Sequence, residues 1–149
     1  MRVSIGSDHA GYNLKKKIIN FLTEKGYEIT DEGTDSPDKS VDYPDFAKKV
    51  SFDVVNKKAD RGIIICASGV GASVAANKVK GIRAGLCHDT YSAHQGVEHD
   101  DMNVLCMGSK IIGEELAKEI VISFLNARFL NEERYIRRLK KVIGLEEGK

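Results

Sequence analysis

The sequence has few of the residues that cross-link, anchor or kink a chain. It contains no tryptophan, two prolines and three cysteines that are widely spaced. No two cysteines form a CxxC pair, so neither a disulfide framework nor a cysteine zinc site is predicted. This pattern is typical of a reducing compartment, and we expect a cytoplasmic protein. No apolar run is long enough to cross a membrane, and the N-terminus shows no apolar export signal.

The chain also lacks an excess of charge of either sign. It has 23 Lys and Arg against 22 Asp and Glu, a formal net charge of +1. There is therefore no global electrostatic reason to expect nucleic acid or an anionic membrane as a partner. With 149 residues, 42% of them hydrophobic, the chain fits one domain with a substantial core. We expect residues 1–149 to form a single domain without internal repeats or linkers.

Short β-branched runs alternate with longer amphipathic segments along the chain. The predicted strands are residues 2–6, 27–31, 62–66, 83–87 and 103–107. The predicted helices are residues 13–25, 45–57, 72–78, 91–98, 114–129 and 132–143. This alternation predicts an α/β fold, a doubly wound, Rossmann-like parallel sheet of five strands with helices on both faces.

Several reactive side chains follow the predicted strands at their carboxyl ends. Asp8 and His9 follow the first strand, Cys66 ends the third, His88 follows the fourth, and Lys110 follows the fifth. Ligands of doubly wound folds bind beyond the carboxyl ends of the strands. We therefore expect these groups to border one site, with the polar loop 36–43 at its edge.

Cys66 ends the apolar run GIIIC and opens the turn ASGVG, after which a helix is predicted. Small residues let successive backbone N–H groups converge on an anion, and the helix N-terminus adds partial positive charge. Such a field stabilises a thiolate or a developing oxyanion. The alternative is a small buried hydrophobe beside a turn that needs glycine, and the pattern alone leaves both open. Cys87 and Cys106 lack such a turn and are predicted to be packing residues.

The Asp and His residues have two interpretations each. Asp8 and His9 could bind hydroxyls, move protons or contact phosphate, or they could form a simple Asx turn. His99 lies just before the fifth strand, at the other edge of the sheet, so an active role would require a site shared between subunits. His88 and His94 are predicted to be surface or packing residues.

The last predicted helix is basic. Arg134 and Arg138 are four residues apart and therefore on one helical face, where two guanidinium groups could clamp a phosphate. The alternative is an ordinary solvated basic face. The ASGVG turn does not match the G-x-G-x-x-G fingerprint of dinucleotide-binding proteins, so NAD binding is not predicted.

Four segments together resemble a known family. These are GSDHAGYNLK at the start, SVDYPDFAKKV, CASGVGASVAANKVKGIRAGLC and EHDDMNVLCMGSKIIGEELAKEIV. They occur in this order over almost the whole chain and are similar to type B ribose-5-phosphate isomerases, a family that includes the galactose-6-phosphate isomerase subunits. The resemblance implies an enzyme of carbohydrate metabolism that interconverts D-ribose 5-phosphate and D-ribulose 5-phosphate, a reaction of the pentose phosphate pathway. It implies no metal and no other cofactor, and a homodimer or higher oligomer with shared active sites.

The resemblance also implies roles for the residues around the reacting carbons. Cys66 would be the base that moves a proton through an enediolate, with Ser68 beside it. His99 would open the sugar ring, and Asp8 would bind the sugar oxygens. The backbone groups that would hold the enediolate belong to Ala67, Gly69, Val70 and Gly71.

Further residues would bind the rest of the substrate. Tyr43 would line the sugar pocket, while His9, Arg134 and Arg138 would bind the phosphate, some of them from the partner subunit. The C-terminal helix is accordingly expected to pack on the partner.

Some positions depart from the family pattern. These departures bear on which phosphosugar the protein binds. Asp100 replaces Asn, Lys110 replaces an Arg that often helps with phosphate, and Ala67 replaces Gly. The stretch Glu-Glu-Arg-Tyr at 132–135 replaces Gly-Gly-Arg-His. The alternatives are an isomerase of a hexose or tetrose phosphate, a non-catalytic phosphosugar-binding subunit, and a thiol redox protein. The absence of a resolving cysteine near Cys66 in the sequence disfavours the last of these.

Overall fold

The computed structural model describes residues 1–149 and contains five strands and six helices. The strands are β1 (Arg2–Ser7), β2 (Glu28–Asp31), β3 (Arg61–Cys66), β4 (Ala84–Leu86) and β5 (Val104–Gly108). The helices are α1 (Tyr12–Glu24), α2 (Tyr43–Val55), α3 (Val70–Ala76), α4 (Thr90–Asp100), α5 (Glu114–Asn126) and α6 (Glu133–Glu146). Each predicted element is present, with shifted ends, and the α/β prediction is confirmed.

The strands form one parallel sheet in the order β2-β1-β3-β5-β4. The apolar strand β3 is central, with Ile63 paired to Ile5 of β1 on one side and to Leu105 of β5 on the other. At its carboxyl end Cys66 is in register with Gly108. The most apolar strand thus lies where the sheet is covered on both faces.

Two apolar layers cover the sheet. The larger one joins α1, α4 and α5 to the sheet and includes Ile18, Val97 and Phe124. The smaller one joins α2 and α3 to the other face and includes Val50 and Ala76. α1 and α3 therefore leave the sheet on opposite faces, so the chain switches sides between the adjacent strands β1 and β3.

Two helices, α2 and α3, begin two residues before their predicted starts. α2 begins at Tyr43, so Pro44 lies in its first turn, where the missing proline N–H costs nothing. α3 begins at Val70, because Gly69 takes a left-handed backbone with φ of 80° and turns the chain directly from the strand into the helix. Val70 and Gly71 are therefore first-turn residues of α3.

α5 ends at Asn126, three residues before its predicted end at Phe129. The half-buried guanidinium of Arg61 donates hydrogen bonds to the carbonyl oxygens of Phe124 and Ala127, both at 3.0 Å. A cation at the last carbonyls satisfies them and fits the negative end of the helix dipole. Burial lowers the pKa of Arg61, but not enough to discharge an arginine.

α6 lies at the end of the chain and contacts α4 of its own subunit. Tyr135 is its only buried residue, whereas Val142, Ile143 and Leu145 remain exposed. The expected packing of α6 on a partner is not tested by a single chain. No helix of the structure has the length and apolar character needed to span a membrane.

Candidate active site

The carboxyl ends of β1 and β3 mark the point where the chain switches faces of the sheet. Ligands of open α/β sheets bind in the crevice that such a switch opens. Asp8 and His9 follow β1, and Cys66 ends β3 in the adjacent position. The expectation that these residues border one rim is confirmed by the strand order.

Cys66 is held by the turn that follows it. Its side chain is buried, and its Sγ accepts a hydrogen bond from the N–H of Gly69 at 3.1 Å. The Gly69 N–H thus points at the sulfur from within the turn. Gly69 is also the residue of this turn that takes a left-handed backbone conformation.

Of the backbone N–H groups that the resemblance assigns to the enediolate, those of Gly69 and Val70 are already bonded within the turn. The first N–H groups of a helix have no acceptor within the helix. In α3, Ser68 Oγ accepts from Val70 at 3.3 Å and the Gly69 carbonyl accepts from Ser73. The N–H groups of Gly71 and Ala72 therefore remain available to an oxyanion.

The other two cysteines differ from Cys66 in their surroundings. Burial raises the pKa of Cys87 to about 11, with the carboxylate of Asp89 adding to the effect. Burial also raises the pKa of Cys106, and the neighbouring cysteines add to the shift. Both side chains are buried thiols at neutral pH, as their packing role predicts.

Asp8 and His9 each make a local hydrogen bond. Asp8 is buried, and its Oδ1 accepts from the N–H of Gly11 at 3.1 Å, so the Asx-turn interpretation holds for this oxygen. His9 Nδ1 lies 3.2 Å from the N–H of Val41 and accepts from it. A ring nitrogen that accepts must be unprotonated, so the neutral His9 carries its proton on Nε2 and can donate from there.

Tyr43 lies against the cysteine turn. A Cβ built at Gly71 would fall 2.6 Å from Cζ of the Tyr43 ring, so the ring occupies the space that a side chain at 71 would need. Tyr43 is 38% exposed, and it therefore forms a wall of the turn that still reaches solvent. The role in lining the sugar pocket that the resemblance implies for Tyr43 stays a prediction.

The loop after β5 binds to the cysteine turn. The N–H of Ser109 donates to the carbonyl of Cys66 at 2.8 Å, and that of Lys110 donates to Ala67 at 3.1 Å. Ser109 Oγ donates to the carbonyl of Ala10 at 2.7 Å. The Lys110 side chain is exposed at this rim. The sequence places Ser109 directly after a strand but gives no indication of these two hydrogen bonds.

His99 lies at the other end of the subunit. α4 starts after the carboxyl end of β4 and returns to the amino end of β5, so its last turn, with His99 and the exposed Asp100, is remote from the Cys66 rim. The His99 ring stacks on Tyr135 with centroids 4.1 Å apart, and its Nδ1 is 2.8 Å from the Gln95 side-chain nitrogen. Within one subunit the structure does not bring His99 to Cys66.

The two arginines of α6 lie on the surface. Arg134 is exposed, and its Nε donates to Glu132 at 2.9 Å while its guanidinium lies over the Tyr135 ring. Arg138 is exposed and has no hydrogen bond or ion pair within the chain. The glutamate that replaces the family glycine thus binds one of the two predicted phosphate ligands.

No group of three or more His, Cys, Asp or Glu side chains is arranged to hold a metal ion.

A cavity of about 630 Å³ lies between α6 and β4, lined by residues that include Cys87, Met102 and Leu139. It does not include Asp8, His9 or Cys66, and the candidate site is therefore the strand-end rim and not this cavity.

Comparison with known proteins gives one consistent family. The sequence profile described as Ribose/Galactose Isomerase matches residues 3–142. The solved ribose-5-phosphate isomerase B of Clostridium thermocellum superposes with a TM-score of 0.96 and 47% identity, covering 99% of both chains.

Two curated relatives are named for different substrates. Ribose-5-phosphate isomerase B of Escherichia coli (strain K12) is 42% identical and covers 98% of this chain and 97% of its own. D-erythrulose-4-phosphate isomerase of Pectobacterium atrosepticum is 40% identical and covers 87% of this chain and 85% of its own. The similarity therefore extends to a pentose phosphate and a tetrose phosphate enzyme.

Proposed function

The chain belongs to the ribose/galactose isomerase family, and from that premise we propose that it interconverts D-ribose 5-phosphate and D-ribulose 5-phosphate through an enediolate. The relatives named ribose-5-phosphate isomerase B place it among the isomerases. The pentose substrate, the base and the intermediate are our proposal. The observation that carries it is the Sγ of Cys66 on a turn with unpaired N–H groups.

The reaction needs a base and a group that stabilises negative oxygen. The proton on the carbon beside a carbonyl is weakly acidic, so removing it requires both. In the proposed step the Cys66 thiolate takes the proton from carbon 2, and the electron pair moves onto the carbonyl oxygen at carbon 1. Cys66 then returns a proton to carbon 1, the proton of the carbon 2 hydroxyl passes to the oxygen at carbon 1, and the carbonyl forms at carbon 2. No electron leaves the substrate, so no redox cofactor is required.

The cysteine turn supplies the oxyanion stabilisation. The N–H groups of Gly71 and Ala72 have no acceptor within α3, and both lie in the first turn of the helix that follows Cys66. Donors that are already fixed in place stabilise a developing charge without reorganisation. Ser68 lies in the same turn and is assigned to the reacting oxygens, and Tyr43 covers the turn as a wall of the sugar pocket.

The remaining assignments concern the ring and the phosphate. His9 would donate its Nε2–H to the phosphate, because Val41 fixes the Nδ1 as an acceptor. We assign Asp8 to the sugar oxygens and His99 to ring opening. Because His99 is remote from Cys66 in its own subunit, this role requires the His99 of a second copy, and we propose a homodimer with two shared sites.

Arg134 and Arg138 complete the phosphate site in this proposal, together with Lys110 at the rim. Both arginines lie on α6, which has an exposed apolar edge at Val142 and Ile143. A phosphate remote from the reacting carbons supplies binding energy for positioning. The free cysteines agree with a cytoplasmic enzyme of the pentose phosphate pathway.

A tetrose phosphate is the second candidate substrate. One relative is named for D-erythrulose 4-phosphate, and the exposed Asp100 departs from the family Asn near the proposed ring-opening group. The test is purified protein with a panel of aldose phosphates of four, five and six carbons, and ketose formation as the readout. The highest kcat/KM with ribose 5-phosphate supports the proposal. A preference for another sugar changes the substrate, and binding without turnover indicates a non-catalytic subunit.

A further inference from the structure

His88 follows β4 and was predicted from the sequence to be a surface or packing residue. In the structure it is half-buried, and its Nε2 lies 2.9 Å from the backbone N of Gly108. The ring therefore reaches from the end of β4 to the last residue of β5. The His88 ring makes no other hydrogen bond.

The identity of the donor fixes the protonation of the ring. A backbone N–H can only donate, so Nε2 of His88 must accept and must be unprotonated. The neutral ring then carries its proton on Nδ1. An imidazolium has donors on both nitrogens and could not make this bond.

Gly108 begins a segment, residues 108–110, that joins three strand-end loops. From this segment Ser109 donates its N–H to Cys66 and its hydroxyl to Ala10, while Lys110 donates its N–H to Ala67. A Cβ at Gly108 would lie 2.7 Å from the carbonyl of Ser68, so the segment packs directly on the cysteine turn. A shift of the segment would therefore move the turn that holds Cys66.

We propose that His88 is a positioning residue for the isomerisation, acting through the Gly108 N–H to fix segment 108–110 and thereby the Cys66 turn. The inference rests on the proposed function for its effect on catalysis. The geometry of the bond does not depend on that function. Gly108 is in register with Cys66, so the bond acts at the residue beside the base.

The variants His88→Leu and His88→Gln separate the hydrogen bond from the bulk of the side chain. Leucine removes the acceptor and leaves the buried Gly108 N–H unpaired. Glutamine can place its Oε1 near the position of Nε2 and still accept. We expect His88→Leu to lower kcat by about 10-fold to 100-fold with little change in KM, since a small misplacement of reacting groups has an effect of this size. His88→Gln is expected to retain most of the wild-type kcat.

Nuclear magnetic resonance tests the bond without reference to activity. In the ¹⁵N-labelled wild type we expect the His88 ring to show the Nδ1–H tautomer. We expect the Gly108 amide to exchange slowly with solvent, faster in His88→Leu, and slowly again in His88→Gln. His94→Leu is the matched control, since His94 makes its hydrogen bond with Glu98 of the same helix, α4, and none with a strand-end loop.

The outcomes separate the two proposals. If the wild type converts no aldose phosphate, the proposed function fails, and the tautomer and amide exchange still decide the bond. An Nε2–H tautomer in the wild type would overturn the inference. So would a His88→Leu enzyme with wild-type kcat, or a His88→Gln enzyme as impaired as His88→Leu.

Discussion

The three cysteines of this molecule have different surroundings. Burial raises the pKa of Cys87 and Cys106, which keeps them as neutral packing groups. Cys66 instead faces the N–H of Gly69 across 3.1 Å at the start of a turn with unpaired donors. The proposed distinction between base and packing residue thus rests on one hydrogen bond and one turn.

Asp100 provides a prediction about substrate charge. This exposed carboxylate lies next to His99, where the proposed shared site would meet an anionic substrate. Removing a charge about 4 Å from another in water changes the energy by about 1 kcal/mol, so Asp100→Asn is expected to raise kcat/KM about fivefold. Steady-state kinetics with the preferred aldose phosphate measures this.

The neighbouring Asp101 is the matched control. Its carboxylate pairs with Arg83 at 2.6 Å, and its φ of 50° is one that asparagine tolerates. Asp101→Asn should lower the unfolding free energy by about 0.5–1 kcal/mol and leave kcat/KM unimproved. Equal activation by both substitutions would mean that the net charge of the protein, and not the charge at position 100, affects catalysis.

At the scale of elements, α1 is fitted tightly to the centre of the sheet. A Cβ at Gly11, which precedes α1, would overlap the carbonyl oxygen of Ile65 in β3. Because this neighbour is backbone, it cannot move aside as a side chain would. The approach of α1 also fixes the loop that carries Asp8 and His9.

Gly11→Ala is therefore expected to cost about 1–3 kcal/mol of unfolding free energy, the usual range for an overpacked site. Urea unfolding followed by circular dichroism measures the change. Gly144→Ala is the control, because Gly144 lies in α6 with open space around it, and alanine there should add about 0.5–1 kcal/mol. Equal stability of the two variants would show that the close approach of α1 to β3 is not a constraint.

The elements were predictable where local pattern determines them. The apolar run of β3 and the alternation of strands and helices predicted the sheet and the rim on which Cys66 and Asp8 lie. The end of α5 was not predictable, because it depends on Arg61, far away in sequence. The same holds for His88, whose partner Gly108 is 20 residues away.

At the scale of the whole molecule, the proposed residues divide between two ends of one subunit. Cys66 lies at the carboxyl ends of the strands, while His99 lies at the end of α4 with Tyr135 of α6 stacked on it. Arg138 belongs to the same α6 and has no partner in its own chain. A second copy of the chain is the simplest source of a complete site.

Complementation between variants tests this arrangement. Arg138→Ala alone should raise KM by about one to two decades, because a charge-assisted hydrogen bond contributes about 1.5–3 kcal/mol. If sites are shared, mixing Arg138→Ala with Cys66→Ala restores activity in heterodimers, since one site then has both intact residues. An inactive mixture after verified subunit exchange would show that Arg138 serves the Cys66 of its own chain.

Chelation tests how the oxyanion is stabilised. The proposed mechanism relies on the backbone N–H groups of Gly71 and Ala72, so activity should survive prolonged treatment with EDTA. The measurement is the rate of ketose formation before and after treatment, with the buffer alone as control. Loss of activity that a divalent ion restores would assign the stabilisation to a metal.

The most direct test of the central claim is isomerisation of ribose 5-phosphate in D₂O by the wild type and by Cys66→Ala, with Cys106→Ala as the control. Proton transfer through an enediolate by an exchanging thiol predicts deuterium at carbon 1 of the ribulose 5-phosphate that the wild type forms. Cys66→Ala should form no ketose while keeping its fold, and Cys106→Ala should still form labelled product. Ketose formation by Cys66→Ala at the wild-type rate, or wild-type product free of deuterium, would contradict the account.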